Sequence, residues 1–372
     1  MKKYFRSSLI AILVFASLSF LSAQTLLVPP GGGNKKASVS ERIGITDVTL
    51  TYDRPGVKGR EGKIWGQLVH YGFKNLGFGS AKESPWRAGA NECTTITFNN
   101  DVKIEGQNLS AGKYGLFMAM QPTEATIIFS KNSTAWGSYF YKPEEDALRV
   151  IVKTAPFTEL VERLKYEFMD QTDSSATIAL EWEHLKIPFK VEVDLAKTQI
   201  ASFKTELQGD KGFMWQNFQY AANFAADHNS NLDEALVWAN NAVDPSFDGQ
   251  KKFSTLSTKA KILTKLNKTS EADALMKEAM PLANMQELYN YGKNLIVQKK
   301  PKEALEIFKL NASKFPNEFF GLVGLVRGYS ALGDYKQALA TAKIAQTKAT
   351  EDNYKATIAT MISKLEQGKD VN

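Results

Sequence analysis

From about residue 38 to Asp194, apolar side chains return at every second position. Tyr114, Leu116, Met118 and Met120 form one such series; Leu148, Val150 and Val152 form the next, followed by Leu164, Tyr166 and Phe168. Ala176, Ile178, Leu180 and Trp182, then Ile187, Phe189, Val191 and Val193, complete the set. A period of two sends one set of side chains into a core and the other into water, as in half-buried antiparallel strands. Further strands are predicted at residues 46–52, 94–98, 102–105 and 125–130. Turn clusters such as Asn99-Asn100-Asp101 and Asp173-Ser174-Ser175 separate them, and no long helix intervenes. The expectation is an antiparallel, jelly-roll-like β-sandwich, with Pro188, which lacks an N–H, at an edge or a bulge.

From about Gly212 the period lengthens to that of a helix. Asp233-Glu234-Ala235-Leu236, Glu271-Ala272-Asp273-Ala274, Lys302-Glu303-Ala304-Leu305 and Lys336-Gln337-Ala338-Leu339 each open a second helix after a short turn. Ala304 and Ala338 stand 34 residues apart, the tetratricopeptide spacing. Superposing them pairs Leu288 with Leu322, Tyr291 with Leu325, Leu295 with Tyr329 and Phe308 with Ala342. The earlier units are spaced by 37 and 32 residues, so the repeat is tightest at the C-terminal end. Four hairpins and a capping helix over 352–367 are predicted, an α-helical, tetratricopeptide-like solenoid. The chain therefore reads as a multidomain β + α protein: a β domain over 38–194, a linker over 195–211 and helical repeats over 212–372.

The N-terminus changes the reading of charge. A basic start (Lys2, Lys3, Arg6), an apolar run from Leu9 to Ala16 and small residues up to Ala23 have signal-peptide order, with cleavage expected after Ala23 and a Pro/Gly linker over 24–37. Those three bases belong to the 46 in the chain; without them the surplus over 40 acids is three. So small a surplus gives no footprint for a nucleic-acid partner. Cys93 is the one cysteine and lies far from the signal segment, so neither an internal disulfide nor a lipid anchor is expected. A periplasmic or secreted protein without stable membrane insertion follows, with Cys93 acting as a small packed hydrophobe.

Several segments recur together: Tyr52-Asp53-Arg54-Pro55, Val57-Lys58-Gly59-Arg60, Trp86-Arg87-Ala88-Gly89-Ala90-Asn91, Ala111-Gly112-Lys113-Tyr114-Gly115-Leu116-Phe117, Asp146-Ala147-Leu148-Arg149-Val150 and Leu180-Glu181-Trp182-Glu183. Their order and spacing resemble an exported bacterial domain family of unknown function, numbered twenty-nine-eleven, over about residues 37–194. The resemblance implies a domain that some members join to helical repeats, as here, and it carries over no catalytic residue. His70 stands where the family pattern has proline, so the resemblance transfers no role to it.

Metal sites need converging His, Cys or carboxylates, and His70, His184 and His228 are scattered; no metal and no cofactor is expected. Glu181 and Glu183 share a strand face, which the neighbouring Lys165, Glu167, Lys190 and Glu192 mark as a solvated, mixed-charge face opposite the buried Trp182. The strongest candidate cluster is Arg54, Arg60, Trp65, Tyr71, Trp86, Arg87 and Asn91, in a loop-rich stretch where side chains need not serve a repeating core. Guanidinium forks and flat rings suit anions, glycans or a partner's peptide. The packing alternative has the tryptophans plugging the sandwich while the arginines bond carbonyls. Together these features point to an exported, non-enzymatic envelope scaffold that binds another protein or peptide through its repeats, with a glycan or anion at the β domain. The rival is an envelope hydrolase or carbohydrate-binding protein using the Arg/Trp cluster.

Overall fold

The computed structural model describes residues 33–372, which divide after Val193 into two compact units. The expected signal segment 1–23 and the first part of the 24–37 linker lie outside the described residues. The last part of that linker is strand: β1 (Lys35–Ile43) pairs along its whole length with β2 (Thr46–Arg54). Its Ser38, Ser40 and Arg42 alternate with Ala37, Val39 and Ile43, a period-two signal overshadowed by the Pro/Gly run before it.

Eight more strands complete the β unit: β3 (Thr94–Phe98), β4 (Val102–Ile104), β5 (Gln107–Leu109), β6 (Gly112–Met120), β7 (Glu124–Ser130), β8 (Asp146–Lys153), β9 (Ala155–Met169) and β10 (Ser175–Glu192). They form two antiparallel sheets, ordered β1-β2-β3-β6-β7-β8 and β5-β4-β10-β9. Val48, Leu50, Ile96, Leu116 and Ile127 of the first sheet and Ile104, Leu164, Ile178, Leu180 and Val191 of the second are buried in one core. Phe129 meets Phe189 across it, edge to face at 6.0 Å between ring centroids. This is the predicted sandwich.

Two departures matter for the site. Residues 176–182 and 187–193 are expected as separate strands, yet β10 is nearly continuous, with register shifts from Glu181 to Leu185 taking up the irregularity. Pro188 lies beyond the last registered pair with β9 (Lys186) and before the first with β4 (Val191), so its missing N–H breaks no registered pair. Secondly, β6 is buried on both faces. Its outer residue Phe117 packs with Ile128, Ala81, Cys93 and Tyr141 in a satellite core under the loops. The unbroken apolar run Leu116-Phe117-Met118-Ala119-Met120 is the sequence sign of such double burial.

The second unit is helical. The predicted linker 195–211 is mostly helix α1 (Leu195–Glu206), whose start is capped by Asp194 accepting from the Lys197 N–H at 3.0 Å. Ile200 buries into the next helices, and Phe203 and Leu207 follow at helical spacing; the segment's polarity hides this stripe. Four hairpins follow: α2 (Trp215–Asp227) with α3 (Leu232–Asn241), α4 (Phe253–Lys265) with α5 (Thr269–Ala279), α6 (Met285–Val297) with α7 (Pro301–Lys314), and α8 (Phe319–Ala331) with α9 (Tyr335–Lys348); α10 (Asp352–Glu366) closes the stack. Ala235, Ala272, Ala304 and Ala338 are all buried, as close helix approach requires. The longer first spacing is the connection after α3, which includes a short 3-10 turn at Pro245–Phe247.

Phe308 fills the joint between the last two hairpins. A methyl group at Gly292 of α6 or Gly324 of α8 would lie 2.5 Å from its ring, so these glycines are the recess that admits it. The tight turns within the last three hairpins each place one residue in the left-handed region, Asn267, Lys299 and Gly333, and the turn of the first places two, Asn229 and Asn231.

Candidate binding sites

The β-unit site is built by residues 55–93, a long connection between β2 and β3 that is stitched to both sheets. Along β9, the Val57 N–H donates to Glu162 O (2.8 Å) and the Leu164 N–H to Pro55 O (3.0 Å). At the irregular part of β10, Glu183 Oε1 accepts from the Gly62 N–H (2.5 Å), and His184 Nε2 meets Glu61 Oε1 (2.9 Å). On the other sheet β3 pairs with β6 only as far as Leu116, and Trp86 then takes over by exchanging two backbone bonds with Met118 (2.9 and 2.8 Å).

These anchors bring three tryptophans together. Trp65 stands edge-on to Trp86 and to Trp182, each at 5.8 Å, while Trp86 and Trp182 stack at 6.1 Å with an 18° tilt. Beside them opens a cavity of about 420 Å³. Of the sequence-predicted residues, Arg60, Trp86, Arg87 and Asn91 line it. Trp65 stands behind the rings. Arg54 and Tyr71 are outside: Arg54 Nε donates to Leu164 O (2.8 Å), and Tyr71 lies over Gly66, where a Cβ would come within 2.6 Å of its ring.

The arginines in the wall are held by main-chain oxygens. Arg60 donates from Nε to Val57 O (2.9 Å) and from Nη2 to Gly56 O (2.7 Å); Arg87 donates from Nη1 to Asn91 O (2.7 Å) and lies 5.1 Å from the Tyr139 ring centroid. The packing role and the lining role therefore coincide: the carbonyls fix the forks, and the remaining N–H groups are held in place beside the cavity. Gly137, at φ +65°, passes under Arg87, where a Cβ would meet the guanidinium at 2.5 Å.

Sequence reasoning missed His70, Ser138, Tyr139 and Trp182 as lining residues. Trp182 shows only its core role in the strand pattern, and Ser138 and Tyr139 come from a loop without periodicity. Burial, the largest influence, lowers the His70 pKa, so its imidazole is neutral at neutral pH. Among the lining residues are two guanidinium groups and no Asp or Glu. Three buried polar atoms in this corner have no hydrogen-bond partner among the described residues: Trp65 Nε1, Trp182 Nε1 and His70 Nδ1.

Glu181 and Glu183 correct the solvated-face expectation, because both are buried. The irregular register at Glu183, which adopts φ +55°, turns its carboxylate onto the Gly62 N–H. Glu181 is held by Lys165 (3.0 Å) and Lys186 (2.8 Å); burial raises its pKa, but the two ammonium groups outweigh this and the net shift is downward.

In the helical unit a groove of about 430 Å³ runs between the second and third hairpins. Ala260, Ala272, Met276 and Leu295 contribute apolar surface, while Lys265, Asp273, Gln298, Lys300 and Glu303 contribute exposed polar groups of both charges.

Residues 34–191 match the family described as a protein of unknown function, DUF2911. The match covers the β unit and stops before α1. Among curated proteins, none matches the chain. Solved structures similar to this chain include YrrB, a TPR protein with an unusual peptide-binding site, at 15% identity over 45% of this chain and 84% of that one, with a TM-score of 0.27. A tetratricopeptide repeat protein from Parabacteroides merdae is 15% identical over 47% and 68% of the two chains, TM-score 0.29. MamA from Desulfovibrio magneticus is 16% identical over 43% and 95%, TM-score 0.27.

In the β unit Leu68, Tyr71, Phe73, Phe78 and Phe140 are exposed, and Phe78 contacts both Tyr139, a lining residue (5.4 Å), and Phe140 (6.3 Å). Among the described residues no group of three His, Cys, Asp or Glu is placed to hold a metal ion, and no helix is long and apolar enough to cross a membrane.

Proposed function

We propose that this protein is exported and works outside the cytoplasm as a non-enzymatic scaffold whose helical hairpins bind another protein or a peptide. The observation that carries the reading is the groove between the second and third hairpins. It combines apolar floor residues with an exposed, mixed-charge rim of Lys265, Asp273, Gln298, Lys300 and Glu303, the mixture a peptide needs: burial for alternate side chains and polar groups for its backbone. The basic and apolar N-terminal segment supports export. The cavity of the β unit is in keeping with a binding role, since its wall supplies rings and donors and no Asp or Glu.

The test is peptide selection against the intact protein, repeated on a Lys265→Glu/Lys300→Glu variant. Selected peptides are expected to combine apolar anchors with polar or mixed-charge positions and to bind the variant at least tenfold more weakly. Equal binding by the variant overturns the assignment of the groove. Terminal sequencing of the native protein checks export: a chain starting near Gln24 is expected, and retained Met1 refutes cleavage.

A further inference from the structure

The groups around the DUF2911 cavity specify its occupant more closely than its size does. The indole N–H of Trp182, Nε1, is buried without an acceptor, and Trp182 is only 1% exposed while lining the space. An indole N–H is donor only, and a buried donor without a partner is costly enough that native proteins nearly always satisfy it. Two guanidinium groups add further donors, and no carboxylate in the wall competes for them. Donor excess without a counter-charge calls for an acceptor-rich anion. The stacked pair Trp86 and Trp182, with Tyr139 under Arg87, supplies flat apolar faces for the rest of the ligand. A neutral sugar fits this wall less well, because its hydroxyls need acceptors as well as donors, and among the lining side chains only the uncharged groups of Asn34, Asn91, Ser138, Tyr139 and His70 offer them, with no carboxylate.

We infer that the cavity binds a carboxylate attached to an aromatic or branched apolar group, with the carboxylate toward Arg60 and Arg87 and the apolar body against the tryptophans. The shared chemistry has two sources, a free small acid and the C-terminus of a peptide. Exposed Leu68 in the wall, and exposed Phe78 and Phe140 against and beside the lining residue Tyr139, extend the apolar surface outward and favour the peptide C-terminus. This inference concerns the β unit alone, so its failure leaves the scaffold reading of the helical unit standing.

The experiment is calorimetric titration of the intact protein with N-acetylphenylalanine, its C-terminal amide, and a hexapeptide ending in phenylalanine as free acid and as amide. The free acids are expected to bind, and each amide to bind roughly tenfold more weakly or worse, the effect of losing one charge-assisted contact. Tighter binding of the hexapeptide acid identifies a peptide C-terminus; equal binding of the two acids identifies a small acid. Trp182→Phe keeps an aromatic face, though a smaller one, and removes the donor, and is expected to weaken the acids more than the amides. Arg60→Gln should reduce the acid-over-amide preference, and Arg60→Lys should restore part of it. Amides binding as well as acids, or no acid binding at millimolar concentration, overturns the inference, and neither result depends on a variant folding.

Discussion

The two units reach a buried interior by opposite routes. In the helical unit each core patch is assembled from hairpins adjacent in sequence: α2 and α3 close around Ala221, Ala225, Ala235 and Ala239, and α6 to α10 share a patch centred on Phe308. In the β unit the main core draws on residues from Ile43 to Val193, and the wall of its cavity is contributed by positions as far apart as Asn34 and Trp182. Locality makes the first unit a chain of similar joints. Non-local closure lets the second bury polar groups that no neighbour in sequence satisfies.

The largest expected effect tests the joint. Phe308→Ala should lower the stability of the helical unit by about 3–5 kcal/mol, because the ring fills a recess between Gly292, Gly324 and Gly328 that cannot collapse onto the void. In calorimetry the transition of the helical unit should shift downward while that of the β unit stays in place; a common shift of both would erase the contrast. Next is Gly137→Ala, expected to cost about 1–3 kcal/mol through its left-handed backbone and the displaced guanidinium, and to abolish acid selectivity in the titration. Unchanged stability and selectivity would remove Arg87 from the account of the cavity.

Glu181 offers a pH test confined to the β unit. Its folded pKa is depressed, so the stability it contributes is present above the ordinary carboxylate range, near 4.5, and is lost as the pH falls below it. Denaturant melts of wild type and Glu181→Gln should differ by about 1 kcal/mol at pH 7 and converge toward pH 3. A difference independent of pH would assign the residue a packing role only. The smallest effect should be a gain: Lys299→Gly relieves a left-handed turn residue and should raise the stability of the helical unit by about 0.5–1 kcal/mol, seen as a higher denaturant midpoint.

The same contrast explains what was legible beforehand. Ala304, Ala338 and their partners could be read because a hairpin stack writes its contacts at fixed spacing. The two-sheet architecture could be read from alternation, and Arg60, Trp86, Arg87 and Asn91 from residue type in a loop. Helix α1 was hidden by polar neighbours. The roles of Trp182, His70 and Tyr139 were invisible because no sequence period relates a strand interior to a loop tip that reaches it only after folding. The burial of Glu181 and Glu183 depends on irregular register in β10, and alternation alone assumes that none exists.

Cys93 gives the chain a practical property. Its thiol is sealed beneath the loops, donates to Thr94 O at 3.1 Å and is pushed by burial up to a pKa of about 12. Only about one molecule in 10⁵ would carry a thiolate at pH 7. A cysteine placed at exposed Phe78 would therefore be the single reactive thiol, and a fluorophore or spin label attached there would report occupancy of the neighbouring cavity without any prior removal of the native residue.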